Sequence, residues 1–219
     1  MFASFASKLN LILTDSALLK RIGFVFAGLL VFRVLAAIPI PGVDQLQLEQ
    51  FFANSQFFGL LNVFSGGGLA NLSIVMLGVG PYITASIILQ VLTIIFPALK
   101  AMYQEEGEQG RKRFNQYSRY LMVPLAAIQG FSLIYFLQTQ GVVPDLAWQV
   151  FFVNILVVVA GSVLLTWIGE LMNEFGIGNG VSIIIFAGIV AGLPQTIAQL
   201  SFTFDVSQIP LYVAFIAAA

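Results

Sequence analysis

Chemistry in a protein begins with side chains that exchange protons, attack carbonyls or bind metals, and this chain has few of them. It contains no cysteine and no histidine. Thiolate nucleophiles, imidazole bases, disulfides and Cys/His metal sites are therefore excluded, and no metal, cofactor or enzymatic activity is expected. Serine and threonine hydroxyls remain, but a hydroxyl nucleophile needs a paired base. The acidic residues lie outside the apolar stretches or at their ends, so a membrane-embedded hydrolase lacks its reagents here. The polar side chains that do stand in apolar surroundings are Arg33, Gln90, Gln129 and Asn154. Aliphatic pairs also recur: Val79 with Ile83 and Ile185 with Ile189 are each four residues apart, on one face of a helix. On its own such spacing is ordinary packing in a membrane bundle.

The elements that must carry these residues are apolar helices. Hydrophobic residues make up 59% of the chain and charged residues 9%, against roughly 25% charged in an average soluble domain. The fold class is therefore all-α integral membrane protein. A helical span needs about 20 predominantly apolar residues, and suitable stretches occur at 22–38, 74–96, 121–137, 150–168 and 181–200. A further apolar run at 210–219 covers only half a bilayer core and reads as a sixth span cut short. Residues 1–21 form an amphipathic segment, with Phe2, Phe5, Leu9, Ile12 and Leu13 at helical spacing, suited to the membrane surface. No cleavable signal peptide is expected before the first span.

Charge sets the orientation. Five of the nine basic residues lie between 100 and 120, so the loop 98–119 is predicted to be cytoplasmic, as is the amino terminus with Lys20 and Arg21. The cluster Arg111-Lys112-Arg113 would attract anionic lipid headgroups or an acidic face such as ribosomal RNA, or is a solvated loop that only sets topology. The turn at 175–180 belongs on the same side by counting spans, yet it has no Lys or Arg. Arg33 stands near the end of the first span, where it either faces a protein interior or snorkels to the outer interface. Pro39, Pro41 and Gly42 end that span.

Ahead of the second span, the short apolar run 57–64 stops at Ser65 and three glycines, Gly66 to Gly68. Non-helical backbone at membrane depth is tolerated only where protein buries it or where it lines a watery cavity. The pattern fits a re-entrant segment beside an aqueous path, or an outer loop that happens to be apolar.

Four segments, IPIPGV (38–43), FSGGGLANLSIVMLGVGPY (64–82), EEGEQGRKRFNQYSRY (105–120) and GIGNGVSIIIFAGIVAGLP (176–194), resemble the SecY family in the family's order. With the spans between them, the resemblance runs to about residue 200. It implies a SecY-type bundle of ten helices in two halves that open at a lateral gate, of which this chain supplies the first. The implied function is a passive channel that passes unfolded secretory polypeptides across the membrane and releases hydrophobic segments sideways into the bilayer. The implied partners are SecE-type and SecG-type subunits, the SecA motor or the ribosome, and polypeptides bearing signal sequences. The implied location is a bacterial plasma membrane or a plastid thylakoid membrane.

The resemblance also assigns roles. It makes 57–71 a plug, centred on Leu60, Leu61, Asn62, Val63, Phe64, Ser65, Gly66, Gly67, Gly68, Leu69 and Ala70. It places Val79, Ile83, Ile185 and Ile189 in an aliphatic pore ring, and Gln90 and Gln129 at the lateral gate, where the amides either hold the gate or make static helix contacts. One departure limits it: Asn173-Glu174-Phe175 precedes the GIGNG run where the family commonly has a basic residue. The alternative function is a secondary transporter with a discontinuous helix. That reading calls for an intramembrane acid, which the spans lack.

Overall fold

The computed structural model describes residues 15–41, 48, 65, 68–69, 71–144 and 146–202, with side chains as far as 191. The described helices are α1 (Ser16–Ala36), α2 (Gly80–Ile95), α3 (Pro97–Gln104), α4 (Gly107–Thr139), α5 (Trp148–Phe175) and α6 (Gly180–Phe202). The partial sixth span at 210–219 and most of the surface segment at 1–21 lie outside the described residues. So does the plug, apart from Ser65, Gly68, Leu69 and Asn71.

Each helix boundary has a local cause. Asp15 starts α1 by accepting hydrogen bonds from the amides of Ala17 at 2.9 Å and Leu18 at 3.4 Å. Between α2 and α3 the chain bends by 116°. The bend falls at Phe96, held at φ −105° and ψ 107° because the following proline ring disfavours helical geometry in the residue before it. α4 and α5 are long and apolar enough to cross a membrane. The 21 residues of α1 carry Lys20, Arg21 and Arg33.

Two expectations need correction. The stretch 98–119 is a helical hairpin rather than a loop: α3 folds back on the first turns of α4, with the Tyr103 and Phe114 rings 4.7 Å apart. Its charges are compatible with helix because Lys112 pairs with Glu108 one turn away at 3.5 Å, while Gly110, Phe114 and Ser118 turn inward. The second correction concerns 74–79, which forms successive turns, so that α2 begins only at Gly80. Here the amides bond carbonyls three residues back or on another segment: Met76 to Ser73, Gly78 to Val75, and Ile74 to Ile38. Gly78 takes a left-handed φ of 59° that suits glycine.

This turn segment is satisfied by long-range bonds. The Ile40 amide donates to the Leu72 carbonyl at 2.9 Å and the Ile74 amide to the Ile38 carbonyl at 3.0 Å. Together they bracket a bridge between Pro39 and Ser73. Asn71 donates to the Ala36 carbonyl at 3.4 Å, and the fully buried Asn154 of α5 donates to the Pro41 carbonyl at 3.2 Å. Asn154 therefore makes a static contact between α5 and the end of the first span. Asn154→Ala is expected to lower the unfolding free energy by about 1–2 kcal/mol, read as a lower thermal midpoint in detergent. An unchanged midpoint would show that this bond adds nothing.

Packing follows two different periods. The buried residues Phe151, Asn154, Val158, Gly161, Leu165, Ile168 and Met172 of α5 alternate at three and four, a straight seam against α1, α4 and α6. On α4, Gly110, Phe114, Ser118, Met122, Ala126, Gly130 and Ile134 recur at every fourth position. With about 3.6 residues per turn, that stripe winds around the helix. It meets α3 first, then α5 through Met122 and Thr166, and finally the core formed by Leu72, Leu137, Val142 and Val143. The turn segment contributes Leu72 and Met76 to this core, and Val75 and Val79 to a second one with Phe32, Leu165 and Met172.

Exposed tryptophans mark a depth scale along α5. Trp148 and Trp167 are separated by a rise of about 28 Å, close to the roughly 30 Å of a hydrocarbon core whose edges favour this residue. On that scale the first turns of α4, with Arg111 to Arg113, project beyond the apolar zone.

Candidate functional site

Where the turn segment, α2, α4 and α6 converge, they leave a partly open cavity of about 460 Å³. That is far more than the roughly 10–15 Å³ one water requires. Its wall is formed by Ser65, Leu69, Met76, Leu77, Val79, Gly80, Ile83, Thr84, Gln129, Leu133 and Ile185. The proline at the start of α2 and the turn before it set the first part of this wall. Val79 is the residue preceding the helix and its carbonyl accepts from the Ile83 amide at 3.1 Å, so the two remain stacked across the boundary.

Most of the wall is aliphatic, and its polar groups are few. The Ser65 hydroxyl accepts from the Leu69 amide at 3.0 Å. The Thr84 hydroxyl donates back to the Gly80 carbonyl at 3.0 Å, within its own helix. Gln129 contributes an amide, and among the described residues the lining contains no acid, base or cation. This arrangement can admit or exclude water and an elongated apolar or polar chain.

The structure thus brings Val79, Ile83, Ile185, Gln129, Ser65 and Leu69 to one cavity. It does not bring Ile189 or Gln90 there. Ile189 lies one turn beyond Ile185 and is 36% exposed, and Gln90 lies two turns along α2 from Ile83 on an exposed face. Val79 differs from its partners because it is only 4% exposed and also packs in the second core. Arg111, Lys112 and Arg113 stand on α4, about 27 Å from Gln129 along the helix. Lys112 and Arg113 each pair with a glutamate, Glu108 and Glu106, on exposed surface. The sequence analysis missed Met76, Leu77, Gly80, Thr84 and Leu133; for Leu133, its place one turn after Gln129 was an available signal.

Apolar helices long enough to cross a membrane, enclosing non-helical backbone and a mainly aliphatic cavity, define a multi-pass membrane protein. Residues 73–219 match the SecY family model. The chain is 43% identical over 186 residues to the protein translocase subunit SecY of Pseudomonas aeruginosa, covering 84% of this chain and 42% of that protein. For the Escherichia coli K12 subunit the values are 44% over 186 residues, 82% and 42%. The chain belongs to the SecY family, and it spans less than half the length of these two relatives.

Solved structures share the fold. A protein-conducting channel aligns with TM-score 0.57 at 18% identity, over 80% of this chain and 37% of that one. Sec61 from the canine ribosome–channel complex of the endoplasmic reticulum gives 0.58 at 18% identity, over 80% and 37%. A SecY structure described for its plug domain gives 0.57 at 19% identity, over 84% and 37%.

Proposed function

We propose that this chain forms the first half of a SecY-type channel, a passive path for unfolded polypeptides across the membrane and for hydrophobic segments sideways into lipid. The observation that carries this reading is the cavity, where Val79, Ile83 and Ile185 meet Ser65, Leu69 and Gln129, with no acid or base among the described residues. Ile83 and Ile185, with Val79 behind them, form the constriction, and Ile189 widens its rim. A narrow ring of branched aliphatic side chains closes around any sequence and resists ions because it dewets. The segment 57–71 is the plug, of which Ser65 and Leu69 reach the cavity wall. Gln129 and Gln90, on α4 and α2, mark the two helices of the lateral gate.

The basic end of α4 faces the cytoplasm together with the amino terminus, in a bacterial plasma membrane or a thylakoid membrane. There the hairpin of α3 and α4 contacts the translocation partner, SecA or the ribosome with its RNA. SecE-type and SecG-type subunits complete the assembly. The canine neighbour, described in complex with a ribosome, supports the ribosomal alternative.

The test is a single cysteine at Ile83 in the full-length protein, which meets no other thiol from this chain. A stalled secretory chain carrying its own cysteine is expected to form an adduct there only when it has a signal sequence. If Ile83 gives no adduct while a cysteine at Gln109 in the hairpin still reacts, chains dock without passing the cavity and the reading fails.

A further inference from the structure

Beyond the cavity, the polar feature that joins separate helices lies where α4 and α5 leave the apolar zone. Arg119 Nε and Glu170 Oε1 are 2.6 Å apart. The other described ion pairs, Lys112–Glu108 and Arg113–Glu106, link parts of one hairpin at 3.5 and 3.6 Å and are exposed. Arg119 and Glu170 instead tie α4 to α5, and the Glu170 side chain is only 17% exposed. The charges of both residues also act on Tyr82 of α2. Deeper in the membrane, the α4–α5 contact is mostly apolar: the Thr166 hydroxyl reaches the Met122 sulfur at 3.4 Å, Gly130 faces Val158, and the Phe131 ring meets Phe151 edge-on.

We propose that Arg119 and Glu170 are a positioning latch for the cavity wall, whose release lets α4 carry Gln129 and Leu133 away from Ile83. This deepens the channel reading and rests on it. α4 runs as one helix from the basic hairpin to the cavity, with Pro124 inside it between Arg119 and Gln129, so Arg111 and Leu133 lie about 33 Å apart along it. Lys112, Gln116 and Arg119 follow at intervals of four and three, which aligns them on one face. An anionic surface that engages Lys112 and extends the two turns, about 10 Å, to Arg119 competes with Glu170 for its guanidinium. Partly exposed ion pairs are weak, so a modest competitor suffices. A largely buried carboxylate left without its cation is unfavourable until water reaches it. α4 must then move off α5 to admit that water.

The test uses the full-length protein in its membrane complex, with spin labels on cysteines replacing the exposed Gln116 and Glu174. Glu170→Gln is expected to lengthen or broaden the interlabel distance and to raise the passage of substrates with defective signal sequences several-fold. The charge exchange Arg119→Glu with Glu170→Arg is expected to restore both. A purely structural pair would lower yield or thermal midpoint while distance and discrimination stayed as in the parent, and that result overturns the proposal. Failure of the charge exchange to restore the parent distance overturns it as well. The channel reading is judged separately by the Ile83 adduct, so a latch that opens without such an adduct sinks that reading while the distance measurement still decides the latch.

Discussion

Gly161→Val is expected to leave little correctly packed protein, with a loss of about 3 kcal/mol in unfolding free energy. A Cβ added at Gly161 would overlap the carbonyl oxygen of Ile74. That oxygen belongs to backbone, and the backbone around it is fixed by the Ile74 amide bonded to Ile38 and by the neighbouring Pro39–Ser73 bridge. Neither side can yield like a flexible side chain, so α5 must shift as a body and disturb both cores that the turn segment joins. Gly161→Ala should show the same defect at smaller size. Gly23 of α1 supplies the contrast, because a Cβ there meets nothing within 4 Å. Gly23→Ala is expected to be neutral or to stabilise by up to about 1 kcal/mol through helix propensity. Thermal midpoints and protease resistance of the three variants in detergent check this. A Gly161→Val protein as stable as the parent would mean that α5 does not approach the turn segment this closely.

The same turn segment shows where the sequence stopped being informative. Apolar composition alone marks α1, α4 and α5, since each overlaps a stretch long enough for the bilayer. Hydropathy could not separate helix from apolar turn at 74–79, because the deciding bonds run to Ile38 and Leu72, and Asn154 reaches back across the chain to Pro41. At 98–119 the charges suggested a loop, although Glu108 and Lys112 at helical spacing and the inward series Gly110, Phe114, Ser118 were present in the sequence. The Arg119–Glu170 pair, by contrast, spans 51 positions and leaves no local signature. For the cavity, the family resemblance put Val79, Ile83, Ile185 and Ile189 in a ring and Gln90 and Gln129 at the lateral gate; of these, Val79, Ile83, Ile185 and Gln129 share a wall. Spacing of i, i+4 puts residues on one helix face but at depths about 6 Å apart. Ile189 stands one turn beyond Ile185 and Gln90 two turns, about 10 Å, beyond Ile83, so neither reaches the wall.

Ile83→Ser in the full-length protein is expected to raise ion conductance of the resting channel several-fold and to relax signal-sequence discrimination. Ile83 bears on the cavity from α2, opposite Gln129 and Leu133 of α4 and Ile185 of α6. In the proposed constriction, a hydroxyl there adds a partner for water to a mainly aliphatic wall, and the smaller side chain widens it. Ile185→Ser should act the same way. Ile189→Ser is expected to leak less, because its side chain is already 36% exposed and stands outside the cavity wall. Val79→Ser should act mainly on stability, since at 4% exposure its hydroxyl would be buried in the second core among Phe32, Leu165 and Met172. An unpartnered hydroxyl costs about 1–3 kcal/mol there. Planar-bilayer conductance, set beside thermal midpoints of the same preparations, separates these effects. Conductance unchanged in both Ile83→Ser and Ile185→Ser would remove the constriction from this cavity, whereas leakage from Ile189→Ser alone would place it one turn further along α6.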